Sequence, residues 1–445
     1  MFNTLIDSFK NKDVRKKILL TLGLLFLFRL GAWLPIPGIS TTFFQINEGD
    51  AVNTMLQLLG AITGGALTNG AFMAIGIMPY INASIIMQLL TVAIPKFEEW
   101  RKQGDEGKEK LNKVTRYLTL ALAIAQSVGI TVTWTRSSPS GIDPILLSGG
   151  GEIPIWTVSI FVALSLVAGA MLTMWIGERV TELGVGNGIS LLIFVGIIST
   201  AGTAIIGNIF GIVSIGRTGD NAPIFELLGF LALVILIFVF IVFIDASERR
   251  VQIQYAKQIK GRKQYGGQST HIPIKLNASG VLPIIFASAI VSFPQLIFGL
   301  IPSVVESNFY RVWMDHLGVG AWGYSVVVGL LIFFFAFFYA QIQFNPEEVA
   351  RTIQQNGGFI PGIRPGKPTA EHLKRISRRL TFFGAFFLAF IAIVPSVIFN
   401  LLGFDQGLIG AFTATGLLIV VSVALDFDKQ LQSQLMMKQY KGFLK

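Results

Sequence analysis

The sequence lacks cysteine entirely and contains little charge. Its 445 residues include three histidines and 13% charged residues, whereas 52% are hydrophobic. Without cysteine the chain can form neither disulfide bonds nor thiolate metal sites. A soluble domain is typically about 25% charged, so this composition excludes an ordinary water-soluble globular protein. The long apolar stretches instead predict a polytopic helical membrane protein.

Apolar runs that could cross a bilayer occur ten times along the chain. A helix of about 20 apolar residues spans the roughly 30 Å hydrocarbon core. The runs lie near residues 18–36, 71–94, 117–135, 154–177, 188–207, 223–244, 278–300, 321–343, 380–401 and 407–425. The sequence therefore predicts ten membrane-spanning helices.

Lysine and arginine are distributed unevenly between the two sides of these spans. All but four of the 35 Lys and Arg residues fall in the termini and in alternate loops, which share one side. Arg29 lies inside the first span, and only Arg136, Arg217 and Arg311 fall on the opposite side. The positive-inside rule therefore places both termini in the cytoplasm. Residues 1–17 fit either a short amphipathic surface helix or an unstructured basic start.

The centres of the predicted spans are almost free of ionisable side chains. Many transporters use such groups at mid-membrane to bind substrate or a coupling ion. Arg29 is the exception, and we expect it to snorkel or to contact helix-end carbonyls. The stretch "GIRPGKP" (362–368) superficially resembles a phosphate loop, but Pro368 stands where Ser or Thr is required. The sequence thus predicts no enzyme, no metal site and no cofactor.

An uncharged stretch of 33 residues runs from Leu58 to Leu90. As one straight helix it would be roughly 50 Å long, which exceeds one crossing but is too short for two. Its first part is rich in glycine, which weakens a helix by about 1 kcal/mol per residue. Irregular backbone at membrane depth is tolerated only where protein buries it or where it lines a cavity. We expect a weakly held re-entrant segment over 58–70 and a crossing helix over 71–94; a glycine-rich external loop is the alternative.

Seven motifs occur in order along the chain: "FRLGAWLPIPGI" (28–39), "GGAL" (64–67), "GIMPYINASIIMQLLT" (76–91), "GERVTELGVGNGISL" (177–191), "QSTHIPIKLNASGVLPIIFASAI" (268–290), "FNPEEVA" (344–350) and "GGFIPGIRPGKPTAEHL" (357–373). Together they closely resemble the SecY family, whose members are pore subunits of protein-conducting translocons. The resemblance implies an all-α polytopic membrane protein with ten transmembrane helices. These would form two inverted five-helix halves, 18–215 and 216–425, around a central hourglass pore. The basic N-terminus (1–17) and a tail (426–445) would lie in the cytoplasm.

The resemblance also implies how the pore closes. A plug on the external side would come from the glycine-rich segment, with the positions Gly60, Ile62, Gly64, Gly65 and Leu67. A ring of apolar side chains would form the constriction, at Ile77, Ile81, Ile189, Ile193, Ile285 and Ile419. Such a ring binds no ions and can dewet. Without the resemblance, each isoleucine would be read as ordinary packing in a membrane helix.

Further positions follow from the resemblance. The long basic loops 245–277 and 344–379 would dock the ribosome and the SecA motor through Arg262, Lys263 and Arg364. Ribosomal RNA would offer phosphates to such a surface. Polar residues of a lateral gate would be Gln88, Gln126 and Ser288, although polar residues also join ordinary helix contacts.

The resemblance implies a channel in the bacterial cytoplasmic membrane that passes unfolded secretory polypeptides and releases hydrophobic segments sideways into lipid. Its partners would be the small subunits SecE and SecG, SecA, the ribosome, secretory and membrane protein precursors, and the phospholipid bilayer. One alternative is an inverted-repeat secondary transporter for a small solute, which the missing mid-membrane charges disfavour. An intramembrane enzyme is disfavoured by the lack of a catalytic group of residues.

Overall fold

A computed structural model of the chain describes residues 2–37, 39, 60, 63–67, 69–136, 155–215, 222–255, 258–260, 263–265, 269–277, 280, 282–300, 304, 307–318, 322–402, 408 and 412–443. The described residues are mainly helical. In chain order the principal helices and strands are α1 (Phe2–Lys10), α2 (Lys12–Trp33), α3 (Met78–Ala93), α4 (Pro95–Lys102), α5 (Asp105–Arg136), α6 (Ile155–Leu183), α7 (Gly188–Ile215), α8 (Ala222–Asp245), β1 (Glu248–Tyr255), β2 (Gln258–Lys260), β3 (Lys263–Tyr265), β4 (Ser269–Lys275), α9 (Leu282–Leu300), α10 (Asn308–Leu317), α11 (Trp322–Gln343), α12 (Pro346–Gln355), β5 (Gly358–Phe359), α13 (Lys367–Leu402) and α14 (Ala414–Phe443).

The chain forms two compact units. The first comprises Met1–Leu228, Ser292–Ala321 and Gly403–Lys445, and the second comprises Gly229–Val291 and Trp322–Leu402. In the first unit, α1 packs against α2 and α14, so the structure shows the helix that was one of the two alternatives for residues 1–17. The division into halves at 18–215 and 216–425 remains a prediction.

Six described helices are long and apolar enough to cross a membrane: α5, α6, α7, α8, α11 and α13. The pair α3 and α4 is a seventh candidate, bent by 100° at its junction. The bend follows from Pro95, which has no N–H and forces Ile94 into extended backbone with φ −111° and ψ 117°. The multi-pass character of the chain is confirmed, and the count of ten spans stays a prediction.

The predicted crossing helix over 71–94 is wrong in its first part. Residues 71–77 form turns, and α3 begins only at Met78. Gly70 and Gly76 have φ values of 57° and 59°, in the left-handed region where side chains are disfavoured. Two left-handed residues therefore interrupt the helix before Pro79 can start it again.

The two long basic loops form one folded module in the second unit. Strand β1 pairs antiparallel with β4 from Glu248↔Lys275 to Gln254↔Ser269. Strand β5, which comes from the second loop, joins the other edge of β1. Both loops and the start of α13 share an apolar core of Val251, Ile253, Ile274, Ile353, Ile360 and Leu373. Sequence reasoning treated these loops as separate and missed their shared core.

The first unit contains a very close approach between α6 and the turns that precede α3. A methyl group added at Gly169 would overlap the carbonyl oxygen of Phe72 and lie 3.3 Å from the Cα atom of Met73. The colliding atoms belong to the backbone, so a flexible side chain cannot relieve the overlap. By contrast, a methyl group added at Gly202 of α7 would meet nothing within 4 Å.

We predict that Gly169→Ala destabilises the protein by about 1–3 kcal/mol, the usual cost of overpacking. Gly202→Ala is the matched control and should be neutral or stabilising by up to about 1 kcal/mol, because alanine favours helix. The measurement is the fraction of monodisperse protein that remains after heating in detergent. Equal heat resistance of the two variants would show that the α6 contact is not close in the folded protein.

Candidate functional site

The backbone of the predicted plug segment and of the turns after it forms hydrogen bonds with the residues just after α2 and within itself. The N–H of Phe72 donates to the carbonyl of Leu34 at 2.8 Å, and the N–H of Ile36 donates to Gly70 at 3.0 Å. Within the segment, the N–H of Gly65 donates to Gly60 at 2.7 Å. The structure therefore shows a largely non-helical segment whose backbone forms several hydrogen bonds, as irregular backbone buried in protein requires.

The expectation that this segment has few large contacts is wrong. Leu67 is 2% exposed and belongs to an apolar cluster with residues of α5 and α6, including Ala123 and Leu166. Ala66 is fully buried against Ala32 of α2 and Ala71. Sequence reasoning weighed the glycines and overlooked that small side chains allow close packing. Of the plug positions, Ile62 lies outside the described residues.

The segment lies against two positions next to predicted ring residues. The methyl group of Thr63 would be 3.1 Å from a Cβ atom added at Gly76, which immediately precedes Ile77. Gly64 approaches α7, since a Cβ atom added there would lie 3.0 Å from the Cα atom of Gly196. Gly196 follows Ile193 by three residues and so occupies the same side of α7. The plug segment thus sits about one helical turn or less from Ile77 and Ile193.

Four of the predicted ring residues are buried in the first unit. They are Ile77, Ile81, Ile193 and Ile419. Ile189 is partly buried, and its Cγ1 atom would lie 3.5 Å from a Cβ atom added at Gly177 of α6. In the second unit, Ile285 is partly buried on α9. The role of these isoleucines as one ring remains a prediction.

The three predicted gate residues differ in their described hydrogen bonds. The Nε2 atom of Gln88 donates to the Oγ atom of Ser84 at 3.2 Å, within α3. Ser288 donates to the carbonyl of Ile285 at 2.9 Å, within α9. Gln126 of α5 is buried, and its Nε2 atom has no hydrogen-bond partner among the described residues. A gate function for these residues stays a prediction.

Arg364 occupies a turn between β5 and α13, in the module that the two long basic loops form. Its side chain is exposed, and its carbonyl accepts a hydrogen bond from Thr369 Oγ1 at 2.9 Å. Gly362 and Gly366, with φ values of 81° and 98°, shape the turn on either side. No described carboxylate pairs with the Arg364 guanidinium, so it can contact a partner. Arg262 lies outside the described residues, and Lys263 is placed only by its backbone, opposite Lys260 in the β2–β3 pair.

The structure also assigns a contact to Arg29, for which the sequence left two possibilities. Its Nη1 atom donates a hydrogen bond to the carbonyl oxygen of Gly64 at 3.0 Å. The isolated charge of Arg29 within the first predicted span indicated that the side chain needs a partner. The partner, Gly64, lies 35 positions away in the sequence. No periodicity links two such residues.

Comparisons with known proteins agree on one family. Residues 71–427 match the family model described as SecY. The protein translocase subunit SecY of Corynebacterium glutamicum is 42% identical over 456 residues, with 100% of both chains covered. The subunit of the same name from Mycobacterium tuberculosis is 41% identical over 468 residues, again with 100% of both chains covered.

Solved structures show the same fold at lower sequence identity. One, described as "The structure of a protein conducting channel", has a TM-score of 0.65 at 19% identity and covers 94% of this chain and 91% of its own. Sec61 in the canine ribosome-channel complex has a TM-score of 0.59 at 18% identity, with the same coverage of 94% and 91%.

We predict that replacing Ile81, Ile193 and Ile419 together with alanine increases ion leakage. Each replacement removes three carbon groups, worth about 0.8 kcal/mol apiece when buried. The frequency of conducting events in planar bilayers should therefore rise by about tenfold or more, since about 1.4 kcal/mol corresponds to tenfold. Replacing the same residues with leucine keeps their volume and should change little.

The matched control for this test replaces three exposed isoleucines with alanine, namely Ile124, Ile198 and Ile206. This variant has the same chemical change at positions outside the buried interior. The frequency of conducting events should therefore stay at the level of the unaltered protein. Equal leakage of the buried and exposed triple variants would contradict a seal at the named residues.

Proposed function

Because this chain belongs to the SecY family, we propose that it is the pore subunit of a protein-conducting channel. It passes unfolded secretory polypeptides across the membrane and releases hydrophobic segments sideways into lipid. It catalyses no reaction and holds no cofactor, so a motor ATPase or the ribosome supplies the driving force. The relatives that support this proposal are translocase subunits, which favours the channel over a small-solute transporter.

One observation carries the proposal: a buried re-entrant segment sits next to apolar residues that could close a passage. A stopper must fill its site through contacts that it can leave when a chain arrives. The described residues of 63–77 form mostly turns with many small side chains, and their large buried side chains, among them Leu67, Met73 and Ile75, are apolar. Ile77, Ile81, Ile189, Ile193, Ile285 and Ile419 then close around a passing chain as an apolar ring.

We place the protein in the bacterial cytoplasmic membrane with both termini in the cytoplasm. The distribution of Lys and Arg supports this orientation. The other subunits would be SecE and SecG, and Gln88, Gln126 and Ser288 would border the lateral gate. Ribosome-bound complexes among the related structures support a ribosome as one partner.

The module that the two long basic loops form lies on the cytoplasmic side in this proposal. It is the proposed docking surface for SecA and the ribosome. Strand β5 and the shared apolar core fix the Arg364 turn relative to β1 and β4. A guanidinium held on such a module can bind a carboxylate or a phosphate through two parallel hydrogen bonds. Arg262 and Lys263 would extend this basic surface.

We predict that Arg364→Glu slows motor-driven translocation by more than about tenfold, because a hydrogen bond to a charged group contributes about 1.5–3 kcal/mol. Arg364→Lys should also be impaired, since lysine cannot form the planar two-bond contact. The measurement is protease protection of a secretory precursor in proteoliposomes supplied with SecA and ATP.

Arg351→Glu is the matched control, because Arg351 is also exposed and lies in the same loop sequence, on α12. This variant makes the same change of charge as Arg364→Glu. It should retain most translocation activity if Arg364 acts through a specific contact. Wild-type translocation by Arg364→Glu would refute the docking role. Absence of translocation by the unaltered protein would refute the channel itself.

A further inference from the structure

Arg29 is a charged side chain at membrane depth. It lies about 18 Å along α2 from Lys17, at a rise of about 1.5 Å per residue, whereas the hydrocarbon core is about 30 Å thick. A charge at that depth faces the protein interior or a water-filled cavity and requires hydrogen-bond acceptors. The flanking residues Phe28 and Ala32 are buried, and Arg29 itself is partly buried.

The acceptor that the structure gives Arg29 belongs to the plug segment. Nη1 of Arg29 donates to the carbonyl oxygen of Gly64 at 3.0 Å. No carboxylate among the described residues forms an ion pair with Arg29. Its interaction with the segment is therefore a charge-assisted hydrogen bond to backbone, which no side-chain substitution at Gly64 can supply or remove directly.

Gly64 has close neighbours on two sides, Arg29 of α2 and Gly196 of α7. Its φ of 72° lies in the left-handed region. A methyl group at Gly64 would overlap Nη1 of Arg29 and would lie 3.0 Å from Cα and 3.2 Å from O of Gly196. The backbone at Gly64 is thus clamped between the guanidinium of α2 and the backbone of α7.

We propose that Arg29 is the positioning residue that holds the plug in its closed place; this rests on the proposed channel function. The bond forms only while Gly64 is seated, so it stabilises the closed arrangement selectively. When the segment leaves, Arg29 exchanges the carbonyl for water that enters the vacated space. The bond is strong in a dry site and weak in a wet one, so hydration of the passage favours release.

This role differs from that of the neighbouring apolar contacts. Leu67 and Ala66 stabilise the segment through close packing, which requires their removal from water. Arg29 adds a directional contact at a glycine-rich point where little apolar area exists to be buried. The segment is therefore positioned both by the packing of Leu67 and Ala66 and by a hydrogen bond at Gly64, which has no side chain to pack.

The test uses the absence of native cysteine in the chain. Leu67→Cys introduces one thiol at a buried plug position, and its reaction with a water-soluble maleimide in proteoliposomes reports how often the segment opens. In this background, Arg29→Met removes the charge and keeps an unbranched side chain. We expect the labelling rate to rise by about tenfold or more, the effect of losing one hydrogen bond to a charged group.

Two variants separate plug positioning from general stability. Arg29→Lys retains a charged donor and should restore part of the slow labelling. Val180→Cys places a thiol at a fully buried position of α6, at a distance from the plug in the sequence, and its labelling should not respond to Arg29→Met. Faster labelling at both thiols would show that Arg29 supports the whole fold and would overturn the proposal.

An unchanged labelling rate of the Leu67→Cys thiol in the Arg29→Met variant would also overturn it. This readout requires no precursor and no motor, so it is independent of translocation. If the unaltered protein fails to translocate a precursor while labelling still responds to Arg29→Met, the contact is real but the channel function is refuted.

Discussion

The need to satisfy every backbone polar group away from water is the constraint on which this structure depends. A helix meets it internally, but the segment before α3 is not a continuous helix. Its hydrogen bonds instead reach the residues just after α2. The N–H of Phe72 donates to the carbonyl of Leu34, and the N–H of Ile36 donates to the carbonyl of Gly70. The irregular segment therefore depends on its place next to the end of α2, and small residues such as Ala66 and Ala71 allow this close approach.

Deep burial and irregular backbone occur together in the same segment. Leu67 and Ala66 are as well buried as residues of a permanent core. Yet the segment has turns in place of a regular helix, and local opening generally begins where regular structure is absent. Glycine supplies backbone shapes that no other residue adopts cheaply, as at Gly64 with φ 72°. The seated arrangement thus combines close packing at Leu67 and Ala66 with backbone turns that require glycine.

The sequence predicted the multi-pass helical class and the unusual character of the segment after Leu58, because hydropathy and glycine content are local properties, and it left a short N-terminal helix as one of two alternatives. It did not predict the start of α3 at Met78, since left-handed conformations at Gly70 and Gly76 depend on tertiary contacts. Nor did it predict that β5 pairs with β1, because the two strands lie about a hundred residues apart and share no local pattern. The family resemblance supplied the positions of the ring and docking residues, which composition alone could not distinguish from ordinary packing or topology charges.

The central claim is that a polypeptide travels past the buried isoleucines beside the plug. A photoreactive amino acid can be placed at Ile193, which is buried, or at Ile206, which is exposed on the same helix. Each protein is then irradiated with a precursor arrested during translocation. The account predicts a covalent adduct with the precursor at Ile193 and none at Ile206. An adduct at Ile206 without one at Ile193, or no adduct at either position while the precursor is protected from protease, would contradict it.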